Sequence, residues 1–292
     1  MKLEVAIASF YVPILLGWLS RRMGWVDEQT PSNLSTLIAY FFLPSLIFRL
    51  IAGGRLTLAE AGMAAVAAGT IITVSLTASI VLFRGDKEKL LTGAFHNAGY
   101  LPLPLTYALW GEKAAAIVGI FSPVLSTTIN TLGPLIAAGN LRYGLNALKR
   151  YPPIAAACLA LALKGLSIEV PGELLQVLEP LSSATIPVAL VMLGMQLEGA
   201  KGVWRDAVEV GAIRFILTPL AAITIFTQIV PVGGILLKVL VVESFMPPAV
   251  TNVVITDRFG LNARKTAFIV FICTVFSLTI VPGVAVLAES LA

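Results

Sequence analysis

Apolar runs of about twenty residues, parted by short polar or basic punctuation, follow one another along the whole chain. At about 1.5 Å per residue and about 30 Å of hydrocarbon, each run has the length of a membrane-crossing helix. The runs fall at approximately residues 3 to 20, 32 to 52, 57 to 83, 89 to 109, 114 to 139, 151 to 167, 174 to 197, 207 to 229, 234 to 256 and 265 to 288, which predicts ten spans. The fold class expected is an all-α polytopic membrane protein. The first run follows Lys2, already contains Glu4, lacks a small-x-small cleavage site and ends in Arg21-Arg22, so it reads as a span rather than a secretory leader.

Two runs carry an interruption near their middle. One holds His96-Asn97-Ala98-Gly99-Tyr100-Leu101-Pro102-Leu103-Pro104, the other Glu243-Ser244-Phe245-Met246-Pro247-Pro248-Ala249-Val250-Thr251-Asn252. Proline removes a backbone donor and clashes with the carbonyl four residues back, so spans 4 and 9 are expected to break there. Freed backbone groups find no water in lipid, and a break is tolerated only where it is buried in protein or lines a cavity. Paired breaks at matching places in two halves mark a secondary transporter with its site near the bilayer midplane.

The halves themselves are legible. Pro13 and Pro153 are 140 apart, Pro44 and Pro187 143, Pro102 and Pro247 145, and Pro134 and Pro282 148. The ordered set predicts a repeat of five spans, residues 1–139 and 151–292, joined by a basic cytoplasmic linker at 140–150. Five is odd, so the second half enters the membrane inverted. Thirteen Lys and Arg fall on the side of the first connection and six on the other, with Arg214 inside a span. The positive-inside rule then puts both termini outside the cell membrane.

Composition narrows the function. With 58% apolar and 12% charged residues and a mean hydropathy of +0.92, a soluble domain is excluded and lipid is a partner. The net charge of +4 is scattered through loops, so no nucleic-acid partner is expected. Cys158 and Cys273 lie in apolar runs and read as small hydrophobes, too few for a zinc site.

Glu243 is the one acid of sixteen near the centre of an apolar span. A carboxylate there costs about 2.5 kcal/mol or more and points to function. It suits a sodium ion held with backbone carbonyls freed by the prolines, or a proton. Asn97, with donors and an acceptor, and His96 beside it sit just ahead of Pro102, where they suit an anionic substrate or an ion. Half-helices beginning after each break, near Leu103 to Thr106 and Ala249 to Asn252, would turn their positive ends toward an anion. Ser126 and Asn130, one turn apart in span 5, either line the cavity or pack against a neighbouring helix. Arg214 is expected to snorkel to the cytoplasmic interface, with a substrate carboxylate as its other reading; Arg49 and Lys238 are expected to snorkel outward.

These segments resemble the auxin efflux carrier family, which includes plant auxin carriers and bacterial malate permeases. The match is carried by Asn97 through Pro104, by Leu43-Pro44-Ser45-Leu46-Ile47-Phe48, by Ile186-Pro187-Val188-Ala189-Leu190 with Leu193-Gly194, and by Met246-Pro247-Pro248-Ala249 with Asp257-Arg258-Phe259-Gly260. The resemblance covers both halves. It implies ten spans in two inverted repeats, a fold similar to the bile acid:sodium symporters, with spans 4 and 9 crossing at Pro102 and Pro247, and homodimers. It also implies Asn97 as a substrate- or ion-facing amide and Glu243, with Asn97 and Met246, at an ion site. Plant members insert a long loop between the halves, whereas the linker here has about ten residues, as in prokaryotic members.

The expectation is therefore a secondary transporter of a small organic anion working by alternating access, coupled to sodium or a proton; an uncoupled uniporter or channel-like facilitator is the alternative. An intramembrane metalloenzyme would need paired carboxylates or a histidine cluster, and a serine hydrolase a Gly-x-Ser-x-Gly run; neither is present, so no enzyme is expected.

Overall fold

The computed structural model describes residues 3–139, 151–197 and 202–292, and the linker expected at 140–150 lies outside them. Every extended regular element among the described residues is helical: α1 (Leu3–Arg22), α2 (Thr30–Leu37), α3 (Leu43–Ala52), α4 (Leu58–Leu82), α5 (Lys87–Ala94), α6 (Pro102–Ala138), α7 (Pro152–Gly165), α8 (Gly172–Val177), α9 (Glu179–Gln196), α10 (Trp204–Ala212), α11 (Thr218–Thr224), α12 (Gly234–Ser244), α13 (Thr251–Arg258) and α14 (Ala263–Leu291). Wide π-helical turns at Ile38–Phe42, Ile213–Leu217 and Ile225–Ile229 link α2 to α3, α10 to α11, and extend α11.

Six continuous helical stretches among the described residues are long and apolar enough to cross a membrane: Thr30–Ala52, Leu58–Leu82, Pro102–Ala138, Gly172–Gln196, Trp204–Ile229 and Ala263–Leu291. Three of the four expected spans missing from this set, all but the first run on α1, have local causes. The fourth and ninth runs are split into helices too short to span, α5 with 8 residues, α12 with 11 and α13 with 8, and α7 has only 14. Two expected spans share α6. At 37 residues it would reach about 55 Å, far more than one crossing needs. Gly111 (φ 75°, ψ −161°) interrupts it with a conformation that side chains disfavour, dividing the end of run 4 from run 5.

Prolines set other boundaries. The π-turns ending at Phe42 and Leu217 come just before Pro44 and Pro219, which stand in the first turns of α3 and α11. An extra residue in the turn moves the carbonyl that a proline ring would strike.

The described residues pack as two compact units, 3–64 with 99–123 and 151–197, and 65–98 with 124–139 and 202–292. Each unit draws on both halves of the sequence. In the first, α1 runs against α9 with a glycine from each helix at the contact, Gly17 and Gly194. A Thr57–Glu60 capping box starts α4, each side chain accepting the other's backbone N–H. Arg49 does not merely reach outward: it pairs with Glu179 and lies 3.7 Å from Glu112, which also holds Arg55 at 2.6 Å.

The second unit has an apolar core of Phe83, Val210, Ile213, Ile269 and Cys273. Next to it, Lys89 meets Glu209 at 2.8 Å and Asp86 at 3.3 Å, while Lys265 meets Asp86 at 2.6 Å. Asp86 caps α5 in the loop after α4. Partial burial pushes its carboxyl up, but the Lys265 ammonium and the Lys89 backbone N–H outweigh that and hold it below the ordinary carboxylate value. A depressed folded value stabilises above the unfolded one and is lost as pH falls through it. Acidification from about pH 5 toward pH 3 is thus expected to loosen the α5–α14 tie. In thermal unfolding against pH, Asp86→Asn should start less stable at neutral pH and show a shallower acid decline; an unchanged profile would exclude this tie as a source of acid sensitivity.

Candidate functional site

Both proline-bearing runs are broken. After α5 the chain leaves helical conformation from 95 to 101, and between α12 and α13 it does so from 245 to 250. Within the second unit the breaks answer each other. The Asn97 backbone N–H donates to the Pro247 carbonyl at 2.8 Å, and the Ala249 N–H donates to the Phe95 carbonyl at 2.9 Å. His96 and Pro248 thereby form an isolated antiparallel bridge. The Asn252 side-chain amide adds a second bond to the Phe95 carbonyl at 3.0 Å. Pro247 and Pro248 have no N–H to offer, so this pairing satisfies groups that a helix break strands inside an apolar environment.

Charged and polar side chains gather at this crossing. Glu243, at the end of α12, is fully buried, and so is His96. Its Oε2 lies 3.3 Å from His96 Nε2. Neither carboxylate oxygen nor either ring nitrogen has a hydrogen-bond partner among the described residues. Ser244 turns its hydroxyl back to the Val241 carbonyl at 2.7 Å. Asn252 is fully buried, its Oδ1 unpartnered among the described residues. Met246 is buried as well, and its carbonyl accepts from Arg214 Nε at 3.0 Å.

That last contact overturns the expectation of a snorkelling arginine. Arg214 sits in the π-turn between α10 and α11, has no exposed surface, and keeps Nη1 and Nη2 without a hydrogen-bond partner among the described residues. It is the only lysine or arginine in the buried set of described residues. The signal was available: position 214 lies near the middle of Trp204–Ile229, too deep for its stem to reach either end easily. Widened π-turns inside helices often mark functional positions.

The structure thus brings together His96, Asn97, Glu243, Met246, Pro247 and Asn252, all in the second unit. Ser126 and Asn130 belong to the same unit but stand on α6, where the Asn130 amide donates to the Ser126 carbonyl at 2.8 Å, a bond within their own helix. Pro102 belongs to the first unit, where it opens α6 at a position that needs no N–H. A cavity of about 640 Å³ lies between α10 and α14, lined by Trp204, Phe215, Phe245, Cys273, Phe276 and Leu287 among others. Its lining includes none of the polar residues of the crossing. Among the described residues no cluster of three or more His, Cys, Asp or Glu is placed to hold a metal.

A family model described as a membrane transport protein matches the chain twice, over residues 4–146 and 141–285. An uncharacterised transporter of Methanocaldococcus jannaschii is 27% identical over 290 residues, covering 92% of this chain and 93% of that protein. An uncharacterised transporter of Methanothermobacter thermautotrophicus is 25% identical, covering 94% of this chain and 95% of its own. A Rhizobium meliloti protein named "putative malonate transporter" is 25% identical, covering 97% and 95%.

Proposed function

We propose that this chain, which belongs to the membrane transport protein family of auxin efflux carriers, is a secondary transporter of a small organic anion that works by alternating access. Family and relatives describe a membrane transporter rather than an enzyme. One observation carries the finer reading: two broken helices hydrogen-bond across each other, and a fully buried carboxylate and imidazole lie at the junction. Such a junction offers a substrate polar groups at membrane depth without exposing them to lipid.

In this reading ten spans form two inverted halves in the cell membrane with both termini outside. The doubled family match, one to each half, supports the repeat. Asn97, His96, Pro102, Asn130, Ser126, Pro247 and Asn252 line the substrate path, and Glu243 with Asn97 and Met246 serves the coupling ion. The protein works as a homodimer in lipid. A short dicarboxylate such as malonate, the compound in the Rhizobium meliloti relative's name, is the first anion to test.

The test is counterflow in proteoliposomes. Saturable exchange of labelled malonate or malate against unlabelled anion inside is expected; a flux that neither saturates nor shows counterflow would make the protein a channel-like facilitator. Asn97→Ala is expected to raise the half-saturating anion concentration about tenfold, the loss of one hydrogen bond to a charged group. An unchanged value would place Asn97 outside the substrate site.

A further inference from the structure

The cavity between α10 and α14 shares none of the polar groups of the crossing, and its chemistry is uniform. Its volume is about 640 Å³, and among the side chains that wall it only the Trp204 indole carries a nitrogen and none carries an oxygen. Cys273, the one sulfur, turns its thiol to the Ala207 carbonyl at 3.7 Å. Apolar cavities stay dry, and one of about 150 Å³ already takes up benzene. Water therefore does not fill this one. Both walls belong to stretches long and apolar enough to cross a membrane, and the mouth is exposed along Val208, Ile216 and Phe276. What stands at such a mouth in a bilayer is lipid hydrocarbon.

The shape selects a slender occupant. The walls touch each other in two places: Trp204 meets Phe268 edge to face with ring centroids 5.7 Å apart, and Phe215 meets Phe276 at 4.9 Å. A helix about 10 Å across from another protein does not enter a slot that narrow, whereas a single hydrocarbon chain does. The lining runs from Ile272 to Leu287 on α14, about 22 Å at about 1.5 Å per residue, which exceeds one leaflet of about 15 Å. Trp204 is exposed at the start of α10 beside an exposed Arg205, and Arg264 is exposed at the start of α14. Aromatic and basic residues of this kind mark the level of lipid headgroups.

We propose that this slot is a binding site for one acyl chain of a phospholipid, with the headgroup at the Trp204 end and the methyl end of the chain toward Leu287. The chain rests against Phe215 in the π-turn and Phe245 in the break after α12, so it packs behind the crossing without entering it. Small residues keep the slot open. Gly283 lines it from α14, where a Cβ would meet nothing within 4 Å, and Ala212 lines it from α10.

The experiment makes Trp204 the sole indole through Trp18→Phe, Trp25→Phe and Trp110→Phe, and adds phosphatidylglycerol brominated on one chain to the full-length protein in detergent. Quenching of Trp204 is expected to saturate at a low lipid fraction, and bromines near the glycerol end should quench more than bromines near the methyl end. Gly283→Leu and Ala212→Phe fill the slot from opposite walls, and each should raise the lipid fraction for half quenching about tenfold. Unbrominated phosphatidylglycerol should raise the unfolding temperature of the wild type with the logarithm of its concentration and leave Gly283→Leu unmoved.

Equal half-quenching in wild type and both variants would overturn the proposal, as would quenching that grows only in proportion to bulk lipid. A Gly283→Leu protein with an altered oligomeric mass, together with a wild type whose unfolding temperature ignores lipid, would give the slot to a second copy and overturn it too. Should one variant fail to fold, the other decides. Should both fail, the wild type decides by saturable quenching or its absence.

Discussion

Glu243→Gln is expected to abolish concentrative transport while leaving anion exchange and folding intact. The substitution keeps the shape of the side chain and removes its ability to gain and lose charge. Glu243 is the one acidic residue with no exposed surface among those described, and both its oxygens lack a hydrogen-bond partner there. A structural carboxylate at this depth would have its oxygens satisfied, because an unpaired buried charge is among the most costly features a fold can carry. An unsatisfied one, 3.3 Å from an imidazole with the same property, is suited to exchanging a proton with whatever enters.

With the membrane potential clamped at zero, symport of one proton concentrates a dianion such as malonate about tenfold for each pH unit of gradient. In proteoliposomes with an imposed pH difference, wild type should approach that ratio and Glu243→Gln should settle near one, with counterflow preserved. Wild-type accumulation by the variant would remove Glu243 from coupling. Loss of counterflow together with accumulation, in protein that still elutes as a folded species, would move it from the coupling site to the substrate site.

How much of this could be read from residues alone follows from the kind of force involved. The breaks at 95–101 and 245–250 were legible because a missing N–H and a ring clash are local properties of proline. That the breaks pair with each other was legible only as a requirement, since apolar surroundings forbid stranded carbonyls but do not say which partner satisfies them. Glu243 declared itself by its solitude in an apolar run. Arg214 was read past although its place near the middle of an apolar stretch was there to see, because snorkelling is the common outcome for a long aliphatic stem. The division at Gly111 was anticipated as a loop near 110 to 113, whereas the helix continues on either side and a single residue with positive φ does the work. The packing units were not legible at all. Internal repetition reports which segments are alike, and contact reports which segments touch, so proline spacing pointed to halves at 1–139 and 151–292 while each compact unit takes segments from both parts of the chain.

The largest stability loss is expected not at the crossing but where α1 meets α9 in the first unit. A Cβ at Gly194 would land on the Ile14 carbonyl oxygen and lie 2.9 Å from the Trp18 backbone nitrogen; one at Gly17 would land on the Val191 carbonyl oxygen and lie 3.1 Å from the Met195 nitrogen. Each glycine is thus received between two backbone positions one turn apart on the opposite helix. Small residues of this kind are what let two helices in a membrane approach backbone to backbone, where association depends on packing rather than on expelling water. The obstacle to a methyl group is backbone in both cases, so no rotamer change relieves it and the helices must separate. Gly194→Ala is expected to cost about 3 kcal/mol, at the upper end of overpacking, and Gly17→Ala a similar amount. Once one methyl has pushed the helices apart the second meets less resistance, so the double variant should lose clearly less than the sum of the singles. Gly62→Ala is the control: a Cβ there meets nothing within 4 Å and sits inside α4, so it should be neutral or gain up to about 1 kcal/mol from helix propensity. Unfolding free energies of the four variants in one detergent decide the matter, and a Gly194→Ala protein as stable as Gly62→Ala would show that the two helices do not meet at this pair.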